Sequence, residues 1–506
     1  MPPQPDAPPP QPASPAPAPR PATPAPSPWR WVGIALGPLA ALTIVLIPSD
    51  LHRLPGYGHR PAYAAAVTAL MALWWLFEVL PIAVTACIPV LLFPLLGVFG
   101  QGPLGDVRRA AEPYADAYIF LFLGGMGIGA AMEQWGLHRR IALHIMRAIG
   151  TDPRRLLLGV LVATATISLW ISNTATAVMM VPIGLALLAQ LEAPLGGRKL
   201  SHFGTAVMLG VAYASNVGGI GTKIGTGTNS IFCGFLSKEL HYDIGFLHYI
   251  AIAFPFVVIF IPIVWLALWR VGRRDDLGAG QAREALDREL SAMGAMSRGE
   301  KKVAAVFVAA GALWILGDPL RQWVGPGLGA LLGMKIQGKH YEATVAMIAL
   351  LALLSTGALS LRALGRIPWG TLLLLGGSFA MAAGIEGSGL GGWMAQRLQV
   401  VAAMPLVGQI GLASLGSVFL SAVASNTATV NIALNVLPRD LGVLFATTIA
   451  ASCDFMLPAG TPPNAIVFGS GYVRLPTMIR VGFVLDLLAA VIITGYVFLY
   501  ARHLLG

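Results

Sequence analysis

The sequence predicts an all-α polytopic membrane protein built from two inverted repeats, and three observations carry that prediction. Charged residues make up 11% of the 506 positions against 56% hydrophobic, with a mean hydropathy of +0.72. A water-soluble domain carries roughly 25% charged residues, so this chain lacks the polar surface to stay in water. Apolar runs of span length recur along it, and the tripeptide Ser-Asn-Thr occurs twice inside them, at 172–174 and 425–427.

Residues 1–28, MPPQPDAPPPQPASPAPAPRPATPAPSP, form a Pro/Ala-rich tail without the basic-then-apolar order of a cleaved secretory signal. They are predicted to be disordered and to lie outside the fold. The segments Trp31–Ile47, Tyr63–Leu80, Ile82–Phe99, Phe246–Trp269, Val303–Leu316, Ala343–Leu354 and Val481–Tyr500 are apolar and mostly long enough to cross a bilayer. Lipid offers no partner to free backbone groups, so they are predicted to be helical. Cys87, Cys233 and Cys453 fall in apolar stretches with no paired spacing, as small packing residues do.

The net charge of +10 fits membrane topology better than nucleic acid, and no nucleic-acid partner is expected. With the N-terminus in the cytoplasm and each Ser-Asn-Thr region folding back to its own side, Lys and Arg favour the cytoplasmic side by roughly two to one, as the positive-inside rule requires. Arg273–Lys302 then reads as a cytoplasmic connector, and LHRRIALHIMRAIG (137–150) as a basic amphipathic arm in the membrane interface.

A repeat organises the chain. LGGMGIGAAMEQWGLHRRIA (123–142) resembles LGGSFAMAAGIEGSGLGGWMAQRL (375–398), and GTKIGTGTNSIFCG (221–234) parallels LPAGTPPNAIVFG (457–469). The order glycine span, Ser-Asn-Thr hairpin, broken span with a GT-x-x-N loop therefore occurs twice. An odd number of crossings between equivalent points inverts the second copy, the arrangement by which secondary transporters build a midplane site from interrupted helices. At a buried hairpin tip, Ser, Asn and Thr side chains satisfy free backbone groups or lend them to a ligand. Helix N-termini aimed inward attract a carboxylate, and backbone carbonyls with Ser and Asn oxygens make a hard-oxygen cage for Na⁺.

WWLFEVLPIAVTACIPVLLFPLLGV (74–98), MEQWGLHRRIAL (132–143), the paired Ser-Asn-Thr motifs and SCDFMLPAGTPPNAIVFG (452–469) resemble the divalent anion/sodium symporter family, which includes sodium-coupled di- and tricarboxylate transporters. The resemblance spans about residues 60–500. It implies a multi-pass plasma-membrane protein (the inner membrane in a bacterium) and a homodimer. Each protomer would have about eleven transmembrane helices, two re-entrant hairpins, and a scaffold domain against which a transport domain moves like an elevator. The expected segments are scaffold helices 1–3 at 29–115, transport repeat 1 at 116–236, and scaffold helices 6–8 at 237–369 with the loop 272–302. Transport repeat 2 follows at 370–470 and the last span at 471–506.

Carried over by motif, one sodium site comprises Ser168, Ser172, Asn173 and Gly225, and a second Ser421, Ala424, Ser425, Asn426 and Gly460. The substrate carboxylates would meet Ser172, Asn173, Thr174, Ser425, Asn426 and Thr427, with Thr226, Thr461 and Pro462 nearby. Membrane lipid and a C4-dicarboxylate such as succinate, malate or fumarate are the expected partners, and Na⁺ the coupling ion. A sodium-independent anion exchanger, a proton-coupled carrier, and citrate or sulfate as substrate stand as alternatives. An enzyme is not expected, since His residues are confined to loops, span ends and the arm.

Two charges depart from the family pattern. Lys223 precedes Gly225 where an uncharged residue is usual, and Asp454 stands where a small neutral one is. Intramembrane charges are functional candidates. Lys223 would supply a fixed positive charge in place of one sodium ion, favouring exchange or altered stoichiometry. Otherwise Lys223 and Asp454 would pair structurally, or either would snorkel to water. Glu133 and Glu386 read as repeat-related carboxylates that pair or cap at span ends, Glu78 as scaffold, and Trp74 and Trp75 as interface or packing aromatics.

Overall fold

The computed structural model describes residues 29–77, 79–193, 199–275, 281–320, 322–323, 338–397 and 399–505. The Pro/Ala-rich tail and Glu78 lie outside the described residues. The helices that build the fold and the site are α1 (Trp29–Leu46), α2 (Arg60–Leu76), the short α3 (Ile82–Thr85), α4 (Ile88–Leu95), α5 (Gly102–Ala111), α6 (Ala117–Trp135), α7 (Leu137–Ile149) and α8 (Pro153–Ser168). They continue as α9 (Asn173–Glu192), α10 (Ser201–Gly219), α11 (Gly227–Glu239), α12 (Phe246–Gly272), α13 (Gln281–Met293), α14 (Arg298–Ile315) and α15 (Gly338–Ser355). The last are α16 (Trp369–Gly387), α17 (Leu390–Arg397), α18 (Leu406–Val423), α19 (Asn426–Val436), α20 (Leu441–Ala451), α21 (Pro462–Phe468) and α22 (Leu475–Tyr496). Among the described residues the strand-like pairing is a single bridge, Leu54 to Gly58.

Among the described residues, six helical stretches are long and apolar enough to cross a membrane. The shorter helices have local causes. The run Ile82–Phe99, expected as one span, is split into α3 and α4. Pro89 at the start of α4 and Pro94 inside it remove backbone donors and disfavour a continuous helix. Trp75 is fully buried and donates from Nε1 to the Ile82 carbonyl at 3.2 Å, so it packs rather than marking the interface. The three cysteines are free, Cys87 exposed and the others buried.

Both Ser-Asn-Thr regions form helical hairpins with the same tip. In the first, α8 ends at Ser168 and α9 starts at Asn173, capped by Ser172 Oγ accepting from the Ala175 N–H at 3.4 Å. In the second, α18 ends at Val423 and α19 starts at Asn426, capped by Ser425 Oγ accepting from the Ala428 N–H at 3.2 Å. The broken spans match in the same way. α10 and α11 flank the loop 220–226, α20 and α21 flank 452–461, and the second member of each pair is N-capped by a threonine, Thr226 or Thr461, in extended conformation.

The glycine spans pack chiefly on other helices and touch the hairpins more lightly, as where a β-carbon on Gly129 would stand 3.3 Å from Ile171 Cγ2. The expected segmentation groups α6 with the first hairpin and α16 with the second. Instead α6 lies chiefly against α15 and α14, and α16 against α2 to α5 as well as α11. The missing side chains explain this. A β-carbon on Gly124 would stand 2.5 Å from the Ala346 carbonyl oxygen of α15, and one on Gly377 would stand 2.1 Å from the Ala86 carbonyl oxygen. Small residues let helix backbones meet inside a membrane. Likewise α12, expected with the scaffold, packs on α10, α8 and α22.

The arm α7 buries Leu137, His138, Ala142, Leu143 and Met146 against α8 and α13. Its outer face is tied to the connector: Arg139 pairs with Glu289, Arg140 with Glu300 at 2.7 Å, and Arg147 with Asp287 at 3.2 Å. Burial pushes the Glu300 carboxyl up, but the Arg140 guanidinium and the Ser297 backbone N–H outweigh it and hold the group below the usual carboxylate range. A depressed folded-state pKa gives stability that is full above the unfolded value of about 4.3 and fades as pH falls through the lower folded value. Glu300→Gln should therefore cost about 2 kcal/mol at neutral pH. Thermal melts of purified protein should show that difference shrinking below about pH 4.

Candidate functional site

The two hairpin tips and the two broken-helix loops open on one cavity of about 670 Å³. Its opposite wall comes from Pro81–Ala83 at α3, from Phe122, Met126 and Glu133 on α6, and from Thr371 and Leu374 on α16. All nine expected substrate contacts line it: Ser172, Asn173, Thr174, Thr226, Ser425, Asn426, Thr427, Thr461 and Pro462. The N-termini of α9, α11 and α19 end on this cavity, so their free N–H groups and dipoles bring positive potential without a cationic side chain at the tips. Toward the end of the molecule carrying the arm, a neighbouring cavity of about 280 Å³ shares Met126, Glu133, Ser172, Ala175, Arg366 and Pro368 with it. Arg366 and Glu133 thus stand on the wall common to both spaces.

Beside each tip lies a nook of oxygens. In the first repeat Ser168 Oγ is 3.0 Å from Asn173 Oδ1 and 2.7 Å from the Ser215 carbonyl oxygen. In the second Ser421 Oγ is 2.7 Å from both Asn426 Oδ1 and the Ala451 carbonyl oxygen. One hydroxyl proton serves two acceptors in each nook, leaving an excess of oxygen lone pairs. That is the donor set a hard monovalent cation takes. Gly225 borders the first nook: a β-carbon there would stand 2.4 Å from the Gly219 carbonyl oxygen and 2.9 Å from that of Ser168. Ser172 and Ser425 line the cavity and cap helices, and Ala424 is a buried, extended residue at the end of α18.

The loops are stapled by asparagines left unassigned in the sequence reading, although both belong to the quoted GT-x-x-N motifs. Asn229 Nδ2 donates to the carbonyls of Gly219 (2.8 Å), Ile220 (3.2 Å) and Thr222 (2.7 Å). Asn464 Nδ2 donates to those of Asp454 (3.2 Å) and Leu457 (3.0 Å). Asn216 crosses between the repeats, donating to Thr461 Oγ1 at 3.1 Å and to the Asp454 carbonyl at 3.4 Å.

Lys223 has a partner the sequence does not announce. Its ammonium turns away from the cavity to Glu342 on α15, 2.8 Å from Oε2 and 2.9 Å from Oε1, and also donates to the Ile244 carbonyl. Lys223 does not pair with Asp454 and does not snorkel, and its charge is paired outside the cavity that the two tips line. The sequence spacing gave no signal of Glu342, 119 residues away. Glu386 sits beside Glu239 at the far end of α11, whereas Glu133 lines the cavity.

An all-helical membrane protein with paired hairpins, paired broken helices and an anion-attracting cavity between them belongs to the class of transporters. Residues 30–506 match the family described as the sodium:sulfate symporter transmembrane region, and the chain belongs to that family. It is 33% identical over 503 residues to the sodium-dependent dicarboxylate transporter SdcS of Staphylococcus saprophyticus, covering 94% of this chain and 92% of that protein. It is 34% identical over 500 residues to SdcS of Staphylococcus aureus strain USA300, with the same coverage. Among solved structures, Neisseria gonorrhoeae MtrF superposes with a TM-score of 0.54 at 12% identity, covering 85% of this chain and 96% of that one. The Alcanivorax borkumensis YdaH transporter gives 0.54 at 15%, covering 82% and 96%. These two likenesses concern the fold alone.

Proposed function

We propose that this protein is a sodium-coupled carrier of small dicarboxylates, with C4 acids such as succinate, malate and fumarate as substrates. The observation that carries the reading is the meeting of both Ser-Asn-Thr tips on one cavity, each backed by an oxygen nook. The similar SdcS proteins are named as sodium-dependent dicarboxylate transporters, which supports substrate and ion alike. Sodium in the two nooks places positive charge behind the tips, and helix N-termini add to it. A dianion then enters a site that desolvates it without an Arg or Lys at the tips. Coupling follows, because an empty nook removes the positive charge behind the tip and weakens the hold on the anion.

We assign α8–α12 and α18–α22 to the moving body, and α1–α6 with α14–α16 to the frame, since the cavity runs between these two sets. The moving body would carry the site past the frame as an elevator, in a homodimer of the plasma membrane with the N-terminus in the cytoplasm.

Reconstitution in liposomes tests the function. Succinate uptake should follow an inward sodium gradient and collapse when sodium is replaced by potassium. Uptake that ignores sodium but needs internal dicarboxylate would replace this reading with an exchanger, and uptake that follows a proton gradient would replace it with a proton-coupled carrier. The family's description makes sulfate the competing anion to include in the panel.

A further inference from the structure

We propose that the Asp454 carboxylate is a charged ligand of the second sodium site, a role its first-repeat counterpart cannot fill. The inference rests on the sodium-coupled reading above and adds a residue to it. Pseudo-symmetry identifies the counterpart. Asn229 and Asn464 are equivalent, and they staple the carbonyls of Gly219 and Asp454 respectively. The next staple repeats at the same offset, Thr222 in one loop and Leu457 in the other. Position 454 is thus position 219 of the second repeat.

At Gly219 the side-chain direction aims at the hairpin tip: a β-carbon there would stand 2.1 Å from Asn173 Oδ1. The first repeat leaves this place to a backbone carbonyl, with the Gly219 oxygen lying 2.4 Å from the β-carbon position of Gly225. The second repeat fills it with a carboxylate. A β-carbon on Gly460 would stand 1.7 Å from Asp454 Oδ2 and 2.8 Å from Oδ1. Gly460 is the counterpart of Gly225 and lines the cavity. The carboxylate therefore lies against the loop that borders the second nook.

Asp454 is fully buried, and neither of its oxygens has a hydrogen-bond partner, although the Met456 N–H lies nearby. Among the described residues it is in no ion pair. The unpartnered oxygens on side chains that bond Asp454 or Phe455 are acceptors, Asn464 Oδ1, Asn216 Oδ1 and Asp486 Oδ2, each at most 1% exposed, and the buried Tyr213 hydroxyl, its ring 4.9 Å from Phe455, adds one unpartnered donor to this cluster. One proton would join two of these oxygens in a single O–H···O bond and leave the others unpartnered. A cation held by several oxygens satisfies more, and a buried carboxylate without a counter-charge is costly. Sodium is the ion the proposed coupling supplies.

A charged ligand raises cation affinity over a neutral one. Purified protein, free of dicarboxylate, should be melted across a sodium titration at constant ionic strength with potassium as the balancing ion. Asp454→Asn keeps the shape, and Asp454→Ala restores a small neutral residue. Both should raise the sodium concentration for half-maximal stabilisation about tenfold. Their melting in potassium reports any folding defect separately. Half-maximal concentrations that coincide with wild type in both variants would overturn the assignment. A wild-type protein with no sodium response in melting or uptake would instead overturn the sodium reading beneath it.

Discussion

Glu342→Gln is expected to destabilise the protein by about 3–5 kcal/mol, because it strands a buried ammonium. Glu342 and Lys223 have side chains 4% and 0% exposed and lie 2.8 Å apart. The Ile244 carbonyl remains as a hydrogen-bond partner for Lys223 but carries no compensating charge. Pairing Glu342→Gln with Lys223→Met should recover most of the loss, since replacing both members of a buried pair is often near neutral. Thermal or denaturant unfolding of the wild type, both single variants and the double variant forms a cycle that isolates the pair. Simple additivity of the two single losses would contradict it. The double variant should also keep its sodium dependence, because the pair adds no net charge to the transport cavity.

Asn173→Ala and Asn426→Ala should each abolish sodium-driven uptake while leaving the protein folded. Each amide oxygen belongs to a nook, 3.0 Å from Ser168 Oγ or 2.7 Å from Ser421 Oγ, and each residue also lines the substrate cavity. Under the proposed sodium and substrate roles, one substitution removes a cation ligand and a dianion contact together, a loss of at least about a hundredfold in rate if each interaction contributes about 1.5–3 kcal/mol. Liposome uptake, with size-exclusion profiles as the folding control, decides it. Normal sodium-dependent transport in either variant would remove the tips from the mechanism.

The paired tips were legible in the sequence because short motifs encode them: a Ser-Asn-Thr cap restarts a helix wherever it falls, and its second copy shows that the first is no accident. The loops were legible for the same local reason. The partners of the glycine spans were not. A Gly-Gly pair announces close packing without saying what packs there, and the choice of α15 for one and of Ala86, just after α3, for the other is a tertiary outcome. Lys223 shows the same limit. A charge in an apolar run demands a neutralising group, but Glu342 comes from a distant helix that no spacing connects to it. Asp454 was visible as an oddity, and its bearing on Gly460 emerged once the loop was folded.

The asparagine staples bear on how fast and how tightly an ion can bind. Holding a residue in one backbone conformation costs about 1–2 kcal/mol of conformational entropy. The chain from the end of α10 into the unwound loop before α11 has its carbonyls at Gly219, Ile220 and Thr222 already fixed by Asn229. That ordering cost is met when the protein folds rather than when sodium arrives. Binding can then proceed onto a preorganised frame, and the free energy of the ion remains available to capture the anion instead of freezing a loop.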